Sequence, residues 1–244
     1  MINNFFLANF IFRISVNSSV SSDFSVFDLP VVPEYSEIIY INEKTVPDER
    51  FFATNEYELC ATASITGNDN LAIEEVLYHL CANVLLTKGV LHLHSSFVLY
   101  KDKALVFTGP SGIGKTTQAE LWRDFQGALI VNGDACLLRR MEDGWHAFGT
   151  PVHGSSPYCE NREAPLSALV VLKQGKENRL ERLDAFSALS ECLPEFYRPR
   201  MDPETEDTFW KAADSLFREI PVYKLTCRPD REATELVKEA IFGA

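Results

Sequence analysis

Residues 109–116, Gly-Pro-Ser-Gly-Ile-Gly-Lys-Thr, constrain this 244-residue chain more than any other stretch. They match the spacing G-x-x-x-x-G-K-[ST] in full. The apolar run Ala104-Leu105-Val106-Phe107 precedes them, and a stretch carrying Leu121, Trp122 and Phe125 on one side follows. A strand that turns through glycines straight into a helix can aim main-chain N–H groups at one point with no Cβ in the way. The partial positive charge of the helix N-terminus falls at that same point. Lys115 adds an ammonium able to reach β- and γ-phosphates, and the Thr116 hydroxyl can ligate Mg²⁺. The segment Gly109, Pro110, Ser111, Gly112, Ile113, Gly114, Lys115, Thr116 and Thr117 is therefore expected to bind a nucleotide triphosphate with Mg²⁺, and the motif does not itself say which base.

Composition narrows the partners. The net charge of −12 argues against a generally basic nucleic-acid or membrane-surface protein. No apolar run approaches the roughly 20 residues that span a bilayer. Six cysteines, none closer than 21 residues to the next, form no Cys-x-x-Cys pair and read as free thiols of a reducing compartment. The start Met1 to Leu7 lacks the basic residues of a secretory signal, so a cytoplasmic location is expected. A homo-oligomer stays open beside a monomer.

The chain reads as two parts. Residues 1–88 carry 12 acidic and 4 basic groups and offer strand-like runs near 5–16, 36–42, 50–54 and 57–65. Helical periodicity begins at Ile73, with Asp69 or Asn70 as cap and Gly89 past the end. Residues 89–244 alternate strands and helices, as an α/β domain does. Strands are expected at 90–100, 104–108, 129–131, 135–140, 145–148, 166–172 and 221–227. A long loop is expected at 149–165, and helices near 183–192, 204–219 and from Ala233, the last capped by Asp230.

Phosphoryl transfer needs a carboxylate for the metal or for the attacking hydroxyl. Asp134 follows the strand Leu129 to Asn132 and Gly133. A parallel strand beside the phosphate-loop strand would set it next to Thr116, as metal-side carboxylate and candidate general base. His92 and His94 share a face of their strand by alternation. Arg162 in the long loop, and Arg198 and Arg200 between two helices, are candidate clamps for the transferring phosphoryl group. Arg139-Arg140 reads as a solvated strand end.

His94-Ser95-Ser96, a hairpin, Thr108 to Thr117, and then a strand ending in Gly133-Asp134 resemble the catalytic core of HPr serine kinase/phosphorylase, a core shared with ATP-dependent phosphoenolpyruvate carboxykinase. Gly149 to Ser156 and Ile220 to Asp230 are similar to segments of small HPr-kinase-like proteins. The resemblance covers roughly 89–244. It implies a P-loop mixed sheet flanked by helices, with a small β-rich N-terminal part over 1–88. It also implies that His94 helps hold phosphate or metal. The family places two consecutive Asp after the strand, where this chain has Gly133 and Asp134. The second signature segment with which HPr kinases grip their protein substrate is not found.

These readings converge on an ATP- and Mg²⁺-dependent kinase. Lys115, Asp134 and His94 act in catalysis, Thr116 and Asp134 hold the metal, and the acceptor is a hydroxyl on a peptide, protein or small molecule. The alternative is an ATP-binding regulatory or assembly protein with little catalysis, motivated by Gly133. An ordinary nucleoside-type kinase would need an Arg-rich lid, which the sparse arginines between 150 and 200 fit poorly.

Overall fold

In the computed structural model the described residues are 2–7, 10–15, 38–43, 51–55, 58–61 and 81–243. The chain divides into two units, Met1–Leu85 and Leu86–Ala244.

The first unit carries five strands: β1 (Ile2–Leu7), β2 (Phe10–Ser15), β3 (Ile38–Glu43), β4 (Phe51–Asn55) and β5 (Glu58–Ala61). Their order is β1-β2-β3-β5-β4. The apolar run expected at 5–16 is split into an antiparallel pair, with Leu7 opposite Phe10. The cap at Asp69 or Asn70 and most of the helix from Ile73 lie outside the described residues. Residues 81–87 are helical, and Gly89 follows with φ +75°.

The second unit is built on β6 (Leu91–Tyr100) and β7 (Lys103–Thr108), an antiparallel hairpin. Its link, Lys101-Asp102, has φ of 50° and 57°, as a turn matched to strand twist requires. Helix α1 (Lys115–Gln126) follows the glycine-rich loop 109–114, then β8 (Leu129–Asn132), β9 (Ala135–Met141) and β10 (Gly144–Phe148). Next come β11 (Glu163–Gln174), β12 (Arg179–Arg182), α2 (Ala185–Cys192), α3 (Pro203–Glu219), β13 (Val222–Cys227) and α4 (Arg231–Phe242).

The strands form one mixed sheet, β10-β9-β6-β7-β11-β13-β12, with β8 also on β6. β6 divides its pairing. Residues 91–94 face β9, and residues 95–100 face β7. β7, β11 and β13 run parallel. β8 points the same way as β7, but it is not its neighbour. β6 lies between them and pairs antiparallel with both, which corrects the expected side-by-side arrangement.

Alternation along the strands sends side chains to two cores. Val98, Leu105, Phe107 and Val170 pack with Ala119 and Trp122 of α1 and Val237 of α4. Phe97, Val106 and Leu169 pack with Cys192 of α2 and Phe209 and Leu216 of α3. The unit is therefore an α/β sheet with helices against both faces. Phe125 departs from expectation. α1 buries Lys115, Gln118, Ala119 and Trp122, while Phe125 is exposed with Arg231 over its ring. α4 begins as expected, with Asp230 accepting from the Ala233 N–H. β12 has no counterpart in the expected elements. Its sequence Arg-Leu-Glu-Arg is polar because it is an edge strand, paired among the described strands with β13 alone. The cysteines whose side chains are described are free thiols. Among the described residues, no helix is long and apolar enough to cross a membrane.

Candidate active site

The glycine-rich loop 109–114 leaves the carboxyl end of β7 and enters α1 through Gly112 and Gly114, with φ of 77° and 111°. L side chains rarely adopt that region, so glycines are required there. Gly114 caps α1 without any side-chain hydrogen bond, which leaves the first-turn amides to an external acceptor. The helix start is clamped from below. Ser96 of β6 donates to the Lys115 carbonyl at 2.8 Å, and Thr108 donates to the His94 carbonyl at 2.9 Å.

Lys115 is only 6% exposed. Its Nζ donates to the Gly109 carbonyl at 2.8 Å and to the Pro110 carbonyl at 3.3 Å. Burial pulls its pKa down, opposed by the charges of Glu195 and Asp134. The Thr116 hydroxyl donates to the Gly133 carbonyl at 3.0 Å, which joins α1 to the turn after β8.

Asp134 begins the step from β8 to β9. Its placement depends on Asn132, a fully buried amide. Asn132 Oδ1 accepts from the Asp134 and Ala135 N–H groups at 2.8 and 2.9 Å. Asn132 Nδ2 donates to the Thr150 and Val152 carbonyls at 2.9 and 3.1 Å. One side chain therefore fixes both the Asp134 backbone and the loop that passes over it. In that loop Gly154 lies against Asp134, where an added Cβ would come within 2.9 Å of the carboxylate carbon. Ser156 lies against Gly133 and is largely buried.

His94 joins this group. Its Nε2 faces Asp134 Oδ1 at 3.4 Å, and its Nδ1 lies 3.2 Å from Glu195 Oε2. The Asp134 partner, aided by Glu195, raises the His94 pKa against the effects of burial and of Lys115. The same pairing holds the Asp134 carboxyl below its usual range. Glu195 sits in a short 3-10 turn, Leu193–Glu195, directly after α2.

The structure thus brings together the loop, Lys115, Thr116, Asp134 and His94. Arg162, Arg198 and Arg200 are exposed, and none makes a hydrogen bond or ion pair with that group. Arg139 and Arg140 also differ from a simple solvated end. Arg140 is exposed and pairs with Glu219 at 2.9 Å, whereas Arg139 is half-buried. Among the described residues no set of three or more His, Cys, Asp or Glu forms a metal cage. Glu195, Ser156 and Asn132 carry no motif of their own. Asn132, adjoining Gly133-Asp134, was the one within reach of sequence reasoning.

No family model and no curated protein matches the chain. Among solved structures, the chain is similar to the HPr(Ser) kinase/phosphatase from Coxiella burnetii, at 12% identity and a TM-score of 0.37. That likeness covers 62% of this chain and 88% of the other.

Proposed function

We propose that this protein is an ATP- and Mg²⁺-dependent phosphotransferase that moves the γ-phosphoryl group to a hydroxyl on a peptide, protein or small molecule. The observation that carries this reading is the convergence of an uncapped helix N-terminus, Lys115 and the Asp134–His94 pair at one end of the sheet. The loop amides take the phosphates, and Lys115 exchanges its two carbonyl partners for β- and γ-phosphate oxygens.

Thr116 and Asp134 suit Mg²⁺, a hard cation that takes oxygen ligands and keeps several waters. The Thr116 proton is already given to Gly133, so its lone pairs are free to face a cation. Bound there, Mg²⁺ would neutralise charge on the phosphates. The acceptor oxygen attacks the γ-phosphorus, the bond to the β,γ-bridging oxygen breaks, ADP leaves, and the Asp134 carboxylate takes the acceptor's proton. In-line positioning and charge neutralisation supply most of the rate.

A second reading, a nucleotide-binding regulatory or assembly protein with little catalysis, is favoured by one feature. Ser156 fills the space beside Gly133, so one carboxylate, not two, follows β8. Incubating the pure protein with γ-labelled ATP, Mg²⁺ and a panel of hydroxyl-bearing peptides and small molecules separates the readings. Label transfer with release of ADP is expected. ATP binding by calorimetry without transfer to any acceptor supports the regulator, and no binding at all removes both.

A further inference from the structure

A carboxylate stands on each ring nitrogen of His94, and the two come from distant parts of the chain. Asp134 follows β8, whereas Glu195 is 101 residues from the histidine. The Glu195 side is the more enclosed, at 10% exposure against 38% for Asp134. A carboxylate accepts, so the 3.2 Å contact at Nδ1 is an Nδ1–H donating to Glu195 Oε2. The bond at Nδ1 sets the ring rotation and leaves the Nε2–H of the protonated ring turned toward the Asp134 carboxylate.

Glu195 is itself held on a rigid support. The Tyr197 N–H donates to the His92 carbonyl at 2.9 Å, and Phe196 forms an antiparallel bridge with Leu93. The Phe196 ring packs edge-on against Phe209 and Phe217 of α3. The residues flanking His94's strand position are thus stitched to the residues flanking Glu195. Glu195 thereby brings a carboxylate of the connector after α2 to the His94 ring.

We propose that Glu195 is a positioning residue of the site, holding His94 through Nδ1 so that Nε2 fixes the Asp134 carboxylate. This rests on the reading of Asp134 as the metal-side carboxylate. Glu195 also lies within electrostatic reach of Lys115, so the test must separate a role through His94 from a role through the lysine.

The first measurement needs no activity. In ¹⁵N-histidine-labelled full-length protein without nucleotide or metal, the His94 signals are identified by their loss in His94→Gln. A His94 Nδ1–H proton protected from solvent exchange is expected in the natural protein and in Glu195→Gln, which keeps an acceptor oxygen. It is expected to vanish in Glu195→Ala and in the same-length Glu195→Met. Its survival in either apolar variant overturns the proposal, whether or not the protein proves to be a kinase.

The second measurement is kinetic. Glu195→Met is expected to lower kcat about 10- to 100-fold, the usual cost of losing a group that orients a metal site, with KM for ATP within about twofold. In a His94→Gln background the same change is expected to do nothing more. A further loss of the full size in that background assigns Glu195 to Lys115 or to substrate and overturns the proposal.

Discussion

The Ser156 hydroxyl occupies the place that a Cβ on Gly133 would take, far inside the 3.0 Å that real Cβ atoms keep. Gly133 has no positive φ, so it is glycine for want of space and not for backbone freedom. The Ser156 Cβ lies 2.5 Å from the same point, so removing the hydroxyl alone does not open it. Gly133→Ala is therefore expected to destabilise the protein by about 1–3 kcal/mol, as overpacking does. Ser156→Gly is expected to restore most of that loss, and Ser156→Ala little of it. Urea denaturation of the singles and doubles checks this. Additive effects of Gly133→Ala and Ser156→Gly would show that the two residues do not compete for one volume.

Asn132 supports a stability prediction of a different kind. Replacing it by Ala strips a partner from the buried Ala135 N–H, from the part-buried Asp134 N–H, and from the Thr150 and Val152 carbonyls. Buried groups left without partners cost about 1–3 kcal/mol each where water cannot reach them. Asn132→Ala should lose about 3 kcal/mol or more. Asn132→Asp keeps the acceptor but presents a carboxylate to two carbonyls, and should be no better. A denaturation midpoint unchanged in both variants would contradict the role of Asn132 as the tie between β8 and the loop.

How much of this was legible in the sequence depends on the distance over which each residue acts. The phosphate loop, Lys115 and Asp134 sit within 26 residues, and glycine chemistry and strand–helix flanks specify them locally. His92 and His94 alternate onto one face, but nothing local says what that face meets. The answer comes from Glu195, which lies in Leu193-Pro194-Glu195-Phe196, a connector with no periodicity. Phe125 misled because its spacing from Trp122 is that of a buried face, although only Trp122 reaches the core. β12 was hidden because an edge strand facing solvent carries none of the alternation that marks a buried one.

The His94 pairing predicts a pH dependence. Its pKa lies above the ordinary 6.5, first because of Asp134, and a group raised in the folded state stabilises that state while protonated. The His94 contribution is thus complete below the unfolded imidazole pKa and disappears as pH rises through the higher folded value. Asp134 runs the other way. Its lowered pKa stabilises the fold above the unfolded carboxyl value, and this is lost as pH falls through the folded one. In an NMR titration, the His94 ring should show a midpoint above 6.5 that falls in Asp134→Asn. A midpoint unmoved by Asp134→Asn would remove Asp134 as the main cause.

Lys115 supplies the prediction that bears most directly on function. Its ammonium is nearly enclosed and held by the Gly109 and Pro110 carbonyls, so under the proposed function the cation is in place before a nucleotide binds. Removing a pre-placed donor that stabilises developing charge costs about 10²–10³ in kcat. Lys115→Ala should lose at least that much transfer. It should also bind ATP more weakly and keep its thermal midpoint within a few degrees, because burial already works against the charged amine. Lys115→Arg should not rescue. A planar guanidinium cannot take the place of a compact ammonium between the Gly109 and Pro110 carbonyls. Transfer at the natural rate by a folded Lys115→Ala protein would place the chemistry elsewhere. Loss of transfer together with an undisturbed fold would tie it to the loop, because the Ser96 and Thr108 clamps hold the loop's ends without the lysine side chain.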